Sequence, residues 1–322
     1  MNFLIRACSL IALLGASALA TGQSFPSKPL RIVVPITPGS ATDIIARILG
    51  EQMHTQLGVP VVVENRPGAG TTIGSAAVAK SPPDGYTLLV NSTAHTANPW
   101  MYAQLSYDSV KDFTPVTSLV SLPNVLVVSA SAPWKSLQEL LATVKGNPGK
   151  RNYASAGVGS GTHMNAEKFR MAAGIQAEHI AFKGTPEAIT ETMTGRVDWF
   201  FAPLVSATSA LRDGKLRALA VGSRERSSLL KDVPTTEEAG VPGSAFNFWI
   251  GLWAPAKTPP DIVERLSAAV QEALKAPETR ERLSKLGADP LFMTPRQFEA
   301  FLADEFKSNE NLVKSAGIKL AN

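Results

Sequence analysis

The stretch Val34–Leu49, VPITPGSATDIIARIL, decides how the first part of this chain folds. An apolar run ends, small polar residues follow, and apolar residues return with the i, i+3, i+4, i+7 spacing of a helix packed on a sheet. Gly39 lets the backbone turn closely, and Ser40 with Asp43 has the spacing of a capping box. The stretch therefore predicts a strand, a tight loop and a helix over Ala41–Leu57.

The turn at the start of this helix is suited to an anion. The first N–H groups of a helix lack partners within the helix and carry the positive end of its dipole, which favours a carboxylate or a phosphate. Thr37 and Ser40 place hydroxyl groups beside them. The alternative is an ordinary strand-to-helix connection, and this stretch alone does not separate the two interpretations.

The strand–loop–helix pattern recurs along the chain. The predicted strands of the first set are Leu30–Val34, Val61–Glu64 and Tyr86–Val90. Helical segments lie between them, which implies a parallel sheet with right-handed crossovers. A second set of the same kind runs from Asn124 to Gly222. After a β-prone segment at Asn247–Ala254 the tail is helical without strands of its own, so its amphipathic helices must cover the first sheet.

The N-terminal residues predict export. Met1–Arg6 carries one positive charge, Ala7–Leu19 is apolar, and Ala18-Leu19-Ala20 has the small-x-small pattern of a cleavage site. The apolar run is too short for an ordinary membrane span, and none follows. We therefore expect a signal peptide at residues 1–20 and a soluble mature chain.

Composition excludes several classes of function. Cys8 is the only cysteine and lies in the predicted signal peptide, so no disulfide or Cys-ligated metal is expected in the mature chain. A net charge of +4 over 322 residues is too small to indicate nucleic acid. The four histidines show no metal-ligand spacing, and no Gly-x-Ser-x-Gly motif surrounds a serine, so neither a metal centre nor a nucleophile elbow is predicted.

Three further strand exits are rich in Gly, Ser, Thr or Asn. They are Asn65–Gly74 (NRPGAGTTIG), Asn91–His95 (NSTAH) and Tyr153–His163 (YASAGVGSGTH). Open parallel sheets bind ligands at the carboxyl ends of their strands, so these loops predict a cleft for a small anion between two facing lobes. A nucleotide at Gly68–Gly74 is the alternative, but Ile73 occupies the place of the third glycine of a dinucleotide fingerprint.

Together these motifs resemble the periplasmic solute-binding proteins of tripartite tricarboxylate transporters, the Bug family. The similarity runs in order from Pro26–Arg47 (PSKPLRIVVPITPGSATDIIAR) through Val61–Gly74 (VVVENRPGAGTTIG) and Ser160–His163 (SGTH) to a tail that ends at Ile318. The resemblance implies an α/β, two-lobe periplasmic-binding-protein fold of the type II class, with two crossing segments and a ligand cleft between the lobes. Lobe one is expected at residues 24–124 plus 251–322, and lobe two at 125–250.

The resemblance also implies a function. A member of this family captures a small carboxylate in the periplasm and passes it to the membrane permease subunits of a tripartite tricarboxylate transporter. We expect a di- or tricarboxylate or an aromatic acid as ligand, a monomer, and no cofactor, catalysis or nucleic acid. An exported nucleotide-dependent oxidoreductase, and a sensor of the same fold that presents its ligand to a membrane kinase, stay open as alternatives.

The candidate ligand-binding residues lie in loops of both lobes. Those of lobe one are Thr37, Gly39, Ser40, Ala41, Pro67, Gly68, Ala69, Gly70, Thr71, Asn91, Ser92 and His95. Those of lobe two are Ser160, Gly161, Thr162, Lys183, Gly184, Phe201 and Ala202. Asp43 is expected to cap its helix and not to touch an anion, because two carboxylates repel each other.

The chain departs from the family pattern at three of these positions. Ser40 and Thr71 stand where the family has glycine, and each adds a hydroxyl. Ala202 stands where the family often has an aspartate that could pair with an ammonium group. Burying an unpaired ammonium costs several kcal/mol, so we expect a carboxylate without an amino group. An aromatic acid could place its ring near Phe201.

Overall fold

Two separate β-sheets organise the chain in the computed structural model, which describes residues 25–318. The predicted signal peptide lies outside the described residues. The strands are β1 (Leu30–Val34), β2 (Val61–Asn65), β3 (Thr87–Ser92), β4 (Phe113–Ser121), β5 (Asn124–Ser129), β6 (Asn152–Ser155), β7 (Glu178–Ala181), β8 (Trp199–Pro203), β9 (Leu216–Val221), β10 (Trp249–Pro255) and β11 (Asp289–Pro290).

Helices follow most of these strands, and the first of them has the predicted bounds Ala41–Leu57. They are α1 (Ala41–Leu57), α2 (Thr72–Ala79), α3 (Ala94–Met101), α4 (Leu137–Gly146), α5 (Gly161–Ala173), α6 (Thr185–Met193), α7 (Leu204–Arg212), α8 (Pro260–Lys275), α9 (Pro277–Lys285) and α10 (Pro295–Ala316). Gly58 ends α1 in the left-handed conformation, as helix-ending glycines do. Thr294 and Gln297 form a capping box that starts α10.

The first sheet, with the helices packed on it, forms lobe one. Its strand order is β11-β4-β10-β3-β1-β2. β1 pairs in parallel with β2 and β3, which confirms the predicted βαβαβ unit. Ile32 faces one core, where α1 and α8 pack, while Val33 faces the other, where Trp249, Trp253 and Phe298 of α10 pack. The tail helices therefore cover the first sheet as predicted.

Two strands of lobe one differ from the prediction. The tail does contain a short strand, because β11 pairs antiparallel with β4. β4 itself has no clear signal in the sequence, since buried Thr117 and Ser118 interrupt its apolar residues. Both hydroxyls are satisfied by the tail: Thr117 donates to Met293 O at 2.7 Å, and Ser118 donates to Leu291 O.

The second sheet, with its own helices, forms lobe two. Its strand order is β7-β6-β8-β5-β9. β6 is parallel to β7 and β8, but β5 is antiparallel to both β8 and β9, so an all-parallel second set is wrong. The reason is the connection: β5 enters directly from β4 of lobe one and crosses its new sheet in the opposite direction.

The chain crosses between the lobes twice, from β4 to β5 and from β9 to β10. Asn124 belongs to the second sheet, and Trp249 and Ile250 belong to the first. The expected limit between residues 124 and 125 therefore falls after the first residue of β5. The expected limit between residues 250 and 251 falls after the second residue of β10. The carboxyl ends of β1, β3, β6 and β8 face one another across the gap between the lobes, and the residues that follow these strands enclose the cavity described next.

Candidate functional site

A small cavity of about 20 Å³ lies between the two lobes, and we call it the inner cavity. The first residues of α1, α5 and α6 line it together with strand-end residues. Its hydroxyl-bearing lining residues are Ser40, Thr42, Thr71, Ser92, Ser160, Thr162 and Thr185. The others are Ile36, Ala41, Ala156, Gly161, Pro203 and Phe248, so none of the lining side chains is charged.

The loop after β1 is held by Asp43 and not by a capping box. One Asp43 oxygen accepts from Gly39 N at 2.9 Å, and the other accepts from Arg47 Nε at 3.0 Å and Asn65 Nδ2 at 2.9 Å. Burial alone would raise the pKa of Asp43, but these hydrogen bonds and the Arg47 charge lower it below its ordinary value. The predicted capping box is wrong, because Asp43 reaches Gly39 and Ser40 Oγ makes no cap bond.

Hydrogen bonds join the two lobes around the inner cavity. They run from Thr185 N to Ser40 Oγ at 3.2 Å, from Thr37 Oγ1 to Glu187 Oε2 at 3.4 Å, from Ser206 Oγ to Gly39 O at 3.3 Å, and from Tyr102 OH to Val158 O at 3.0 Å. Ser40 and Thr162 are only 1% and 2% exposed. These residues are therefore closed off from solvent in this arrangement of the lobes.

Two predicted glycines set how closely the lobes approach. A Cβ atom on Gly70 would lie 1.8 Å from Val158 O of lobe two. A Cβ atom on Gly184 would lie 1.8 Å from Thr37 Oγ1 of lobe one. Both distances are far below any real contact, so a side chain at either position would hold the lobes apart.

In lobe two the hydroxyls stand at the start of α5. Ser160 is the N-cap residue, and its Oγ accepts from His163 N at 3.3 Å. Thr162 Oγ1 accepts from Ala156 N at 2.9 Å and lies 3.0 Å from Ser160 Oγ. Because Thr162 Oγ1 accepts from the backbone, its own proton is left to donate to Ser160 or to a ligand.

Two neutral histidines support this loop from behind. The rings of His163 and His179 stack with their centroids 4.0 Å apart. Gly159 N donates to His163 Nδ1 at 3.2 Å, and His179 Nε2 lies 2.6 Å from Ser155 Oγ. Burial lowers the pKa of His163 to about 4 and that of His179 to about 3, with smaller contributions from Arg170 and His163 respectively. Both rings are therefore uncharged at neutral pH.

Thr71 lines the inner cavity in a conformation that is uncommon for its type. Its φ is 84°, in the left-handed region, where β-branched residues are rare. Its Oγ1 accepts from Asn98 Nδ2 at 3.0 Å and from Asn91 Nδ2 at 3.4 Å, and these bonds fix the turn. Asn91 thus supports Thr71 and does not itself line the cavity, while Asn98 was not anticipated from the sequence.

A second cavity of about 580 Å³ adjoins the first, and we call it the outer cavity. Its lining shares Ile36, Thr71 and Ala156 with that of the inner cavity. The other lining residues are Pro35, Gly68, Ala69, Gly70 and Tyr102 of lobe one, and Gly157, Val158, Ala181, Phe182, Lys183 and Glu187 of lobe two. Several of these residues are exposed, so the outer cavity opens to solvent.

His95 does not reach either cavity. It is fully buried in lobe one, where its ring lies 4.4 Å from that of Trp253 and meets Phe113 edge-on. Its Nε2 donates to Ser109 O at 2.9 Å, and burial lowers its pKa to about 4. The expectation that His95 contacts a ligand is wrong, because α3 turns its side chain into the lobe-one core.

Phe201 and Ala202 are also core residues. Phe201 packs edge-on against Phe169 and Trp199, while Ala202 lies in the opposite core of lobe two with Phe200. Side chains alternate along β8 and both of its faces are covered, so only Pro203 at the strand end lines the inner cavity. The expected ring contact with Phe201 is wrong, and Ala202 gives no information about an amino group.

The remaining predicted residues lie at the inner cavity, at the outer cavity, at the contact between the lobes, or away from both cavities. Ser40, Ala41, Thr71, Ser92, Ser160, Gly161 and Thr162 line the inner cavity, and Gly68, Ala69, Gly70 and Lys183 line the outer cavity. Thr37, Gly39 and Gly184 lie at the contact between the lobes, and Pro67 lines neither cavity. Thr185 was missed although it follows a strand, whereas Tyr102 and Phe248 carry no local signal.

The described part of the chain offers neither a metal centre nor a membrane span. Within residues 25–318 no group of three or more His, Cys, Asp or Glu side chains is placed to hold a metal ion. No helix of that range is long and apolar enough to cross a membrane.

Two α/β lobes, two crossings and an enclosed cavity define the periplasmic-binding-protein fold. The chain belongs to the tripartite tricarboxylate transporter receptor family, whose sequence profile matches residues 45–318. It is 40% identical over 287 residues to the UPF0065 protein of the tcbD–tcbE intergenic region of Pseudomonas sp. (strain P51), covering 89% of this chain and 84% of the relative. It is 35% identical to BugT of Bordetella pertussis, covering 96% of each.

Solved structures agree with the family. Periplasmic binding protein BugD superposes with a TM-score of 0.88 at 33% identity, covering 92% of this chain and 100% of BugD. An R. palustris protein solved with adipate gives a TM-score of 0.89 at 31% identity, with the same coverage. MatC from Rhodopseudomonas palustris with bound malate gives 0.85 at 35% identity, covering 90% of this chain and 100% of MatC.

Proposed function

We propose that this protein captures a small carboxylate between its lobes and delivers it to the permease subunits of a tripartite tricarboxylate transporter. The inner cavity carries the proposal, because hydroxyl groups and three helix N-termini line it and no charged side chain does. Such a lining offers hydrogen-bond donors and positive dipole ends to an anion. The two neighbours solved with adipate and malate support the same chemical class.

The ligand-binding residues of the proposal are those that line the two cavities. In the inner cavity the main donors are Ser40, Thr71, Ser92, Ser160 and Thr162, to which we add Thr42 and Thr185. The protein acts as a binding protein without catalysis, as a monomer and in the periplasm. Its family and its neighbour BugD, a periplasmic binding protein, support the binding role and the periplasmic location.

A thermal-shift screen of purified mature protein tests the function. A ligand that binds only the folded state raises the melting temperature, so a panel of di-, tri- and aromatic carboxylates should contain at least one that does so at micromolar to millimolar concentration. Calorimetry then gives its affinity, with NAD(P) as the comparison. Nucleotide binding without carboxylate binding would favour the oxidoreductase and contradict the proposal.

Ligand binding should also change the shape of the molecule. The lobes must separate for entry, and a ligand that contacts both lobes favours the closed arrangement. Small-angle scattering with and without ligand should therefore show a smaller radius of gyration in the complex. An unchanged radius at saturating ligand would contradict capture between the lobes.

A further inference from the structure

The two adjoining cavities, which share the lining residues Ile36, Thr71 and Ala156, differ in chemistry. The inner cavity is small, at about 20 Å³, and seven of its lining side chains carry hydroxyls. The outer cavity is far larger, and its walls are largely carbon, from Pro35, Ile36, Val158, Phe182 and the ring of Tyr102. A ligand whose carboxylate enters the inner cavity must place the rest of its atoms against these walls.

Polar groups on the middle of such a ligand find few partners. The hydroxyl of Tyr102 already donates to Val158 O, and burial raises the pKa of Tyr102 to about 12, so it stays neutral. The junction between the cavities is formed by Ile36, Thr71 and Ala156 and carries no charged group. An amino group beside the bound carboxylate would therefore meet no acidic side chain at the junction, and hydroxyl groups along the ligand would face walls that are mostly carbon and offer few hydrogen-bond partners.

The charged lining residues of the outer cavity are both exposed. Glu187 accepts a hydrogen bond from Thr37 Oγ1 across the lobes. Lys183, on the same rim, makes no ion pair within 4.0 Å among the described residues. A cation without an ion-pair partner at the open end of a carbon-walled cavity is placed to meet an anionic or polar group at the far end of the ligand.

From this arrangement we infer that the ligand is a carboxylate with an apolar body, aliphatic or aromatic, that extends through the outer cavity towards Lys183. The inference rests on the proposed function and narrows its ligand to one chemical class. It excludes hydroxylated acids such as citrate and malate, and amino acids, as the preferred ligand.

Calorimetry with matched acids tests this class. Adipate, phthalate and benzoate serve as apolar-bodied probes, and malate, citrate and glutamate as polar-bodied probes. We expect the best apolar-bodied acid to bind at least tenfold more tightly than any polar-bodied acid. If citrate, malate or glutamate binds tightest, the inference is wrong while the proposed function stands. If no carboxylate binds, both are wrong.

Two variants locate the ligand body. Phe182→Asn makes the outer wall polar and should weaken adipate binding about tenfold. Lys183→Gln should weaken adipate about fivefold but change hexanoate, which lacks the far carboxylate, by less than twofold. Lys145→Gln, an exposed lysine on α4, is the matched control for loss of charge and should change neither. Unchanged adipate affinity in both Phe182→Asn and Lys183→Gln would overturn the inference. Because Lys183 is exposed, the Lys183→Gln variant should fold normally, so its affinity can be measured even if Phe182→Asn does not fold.

Discussion

The loops after β1 and after β6 present the same chemistry to the inner cavity but are supported in different ways. Each ends in a serine that precedes a helix, Ser40 in lobe one and Ser160 in lobe two. Behind the first stands the charged side chain of Asp43 with its arginine and asparagine partners, and behind the second stand two uncharged histidines. The surface of the inner cavity thus depends on hydroxyls and backbone N–H groups, and the formal charge of Asp43 lies in the layer behind it.

The difference in support predicts that the two loops lose stability in different pH ranges. His163 and His179 have pKa values of about 4 and about 3 in the folded protein, against roughly 6.5 when unfolded. The unfolded state therefore binds protons first as pH falls, and the free energy of unfolding decreases from about pH 6.5 down to about pH 4. The lowered pKa of Asp43 acts only below its ordinary value of 3.8.

Denaturant unfolding at pH 7 and pH 4.5 measures this effect. Each buried histidine should remove about 2–3 kcal/mol between the two values. His179→Gln should lose correspondingly less on acidification, while His54→Gln on the surface of α1 serves as the control. His95 contributes in the same direction, but from lobe one. Equal pH sensitivity of wild type and His179→Gln would show that the histidine pair is not a neutral support.

Removing the charged support of lobe one should have the next largest effect. Asp43→Ala leaves Gly39 N, Asn65 Nδ2 and Arg47 without their shared acceptor, and Asp43 itself is 3% exposed. We expect the free energy of unfolding to fall by about 2–3 kcal/mol. Asp213→Ala, at the exposed end of α7, should change it by less than about 0.5 kcal/mol. A similar small loss for both variants would argue against the role given to Asp43.

A third prediction concerns the ligand-facing layer of lobe two. Thr162→Val keeps the shape of the side chain but removes the hydroxyl that accepts from Ala156 N and borders the inner cavity. Binding of the best carboxylate should weaken by about 1–3 kcal/mol in calorimetry. Thr190→Val, whose hydroxyl bonds only within α6, should leave the affinity unchanged. Equal affinities of Thr162→Val and wild type would show that the Thr162 hydroxyl at the start of α5 does not contribute to ligand binding.

The smallest effect is expected at the matching serine of lobe one. Ser40 Oγ accepts from Thr185 N across the lobes, and this is one of several bonds that close them. Ser40→Ala should therefore weaken ligand binding by only about 0.5–1 kcal/mol, without a change in thermal stability of the ligand-free protein. A loss larger than that of Thr162→Val would show that Ser40 of lobe one contributes more to binding than Thr162 of lobe two.

Local patterns predicted the parts of the fold and candidate site that depend on neighbours in sequence. The strand, turn and helix around Ser40 follow from the spacing of the apolar residues, and the turn at Ser160–Thr162 follows from its capping serine. β4 could not be predicted, because its polar residues are satisfied by the distant tail. Three lining residues come from parts of the two lobes that are distant in sequence, namely Tyr102, Val158 and Phe248. The residues next to them in sequence give no indication that they line a cavity.

The errors at Phe201 and Ala202 have a different origin. The motif pointed to the end of β8, but alternation sends these two side chains into the two cores of lobe two, and the chain reaches the inner cavity one residue later, at Pro203. A shift of one residue on a strand reverses the face of every side chain, and the sequence carried nothing to fix it.

The uncharged lining of the inner cavity has a consequence for ionic strength. Attraction between formal charges is screened over a Debye length of about 10 Å at 0.1 M salt, whereas hydrogen bonds from hydroxyls and helix N-termini act at contact distance inside an enclosed space. The share of a carboxylate's affinity that the inner cavity supplies should therefore change little between dilute buffer and concentrated salt, whereas the share that the exposed charge of Lys183 supplies should fall. Entry into the inner cavity should likewise gain little from long-range electrostatic steering, so the opening of the lobes limits its rate.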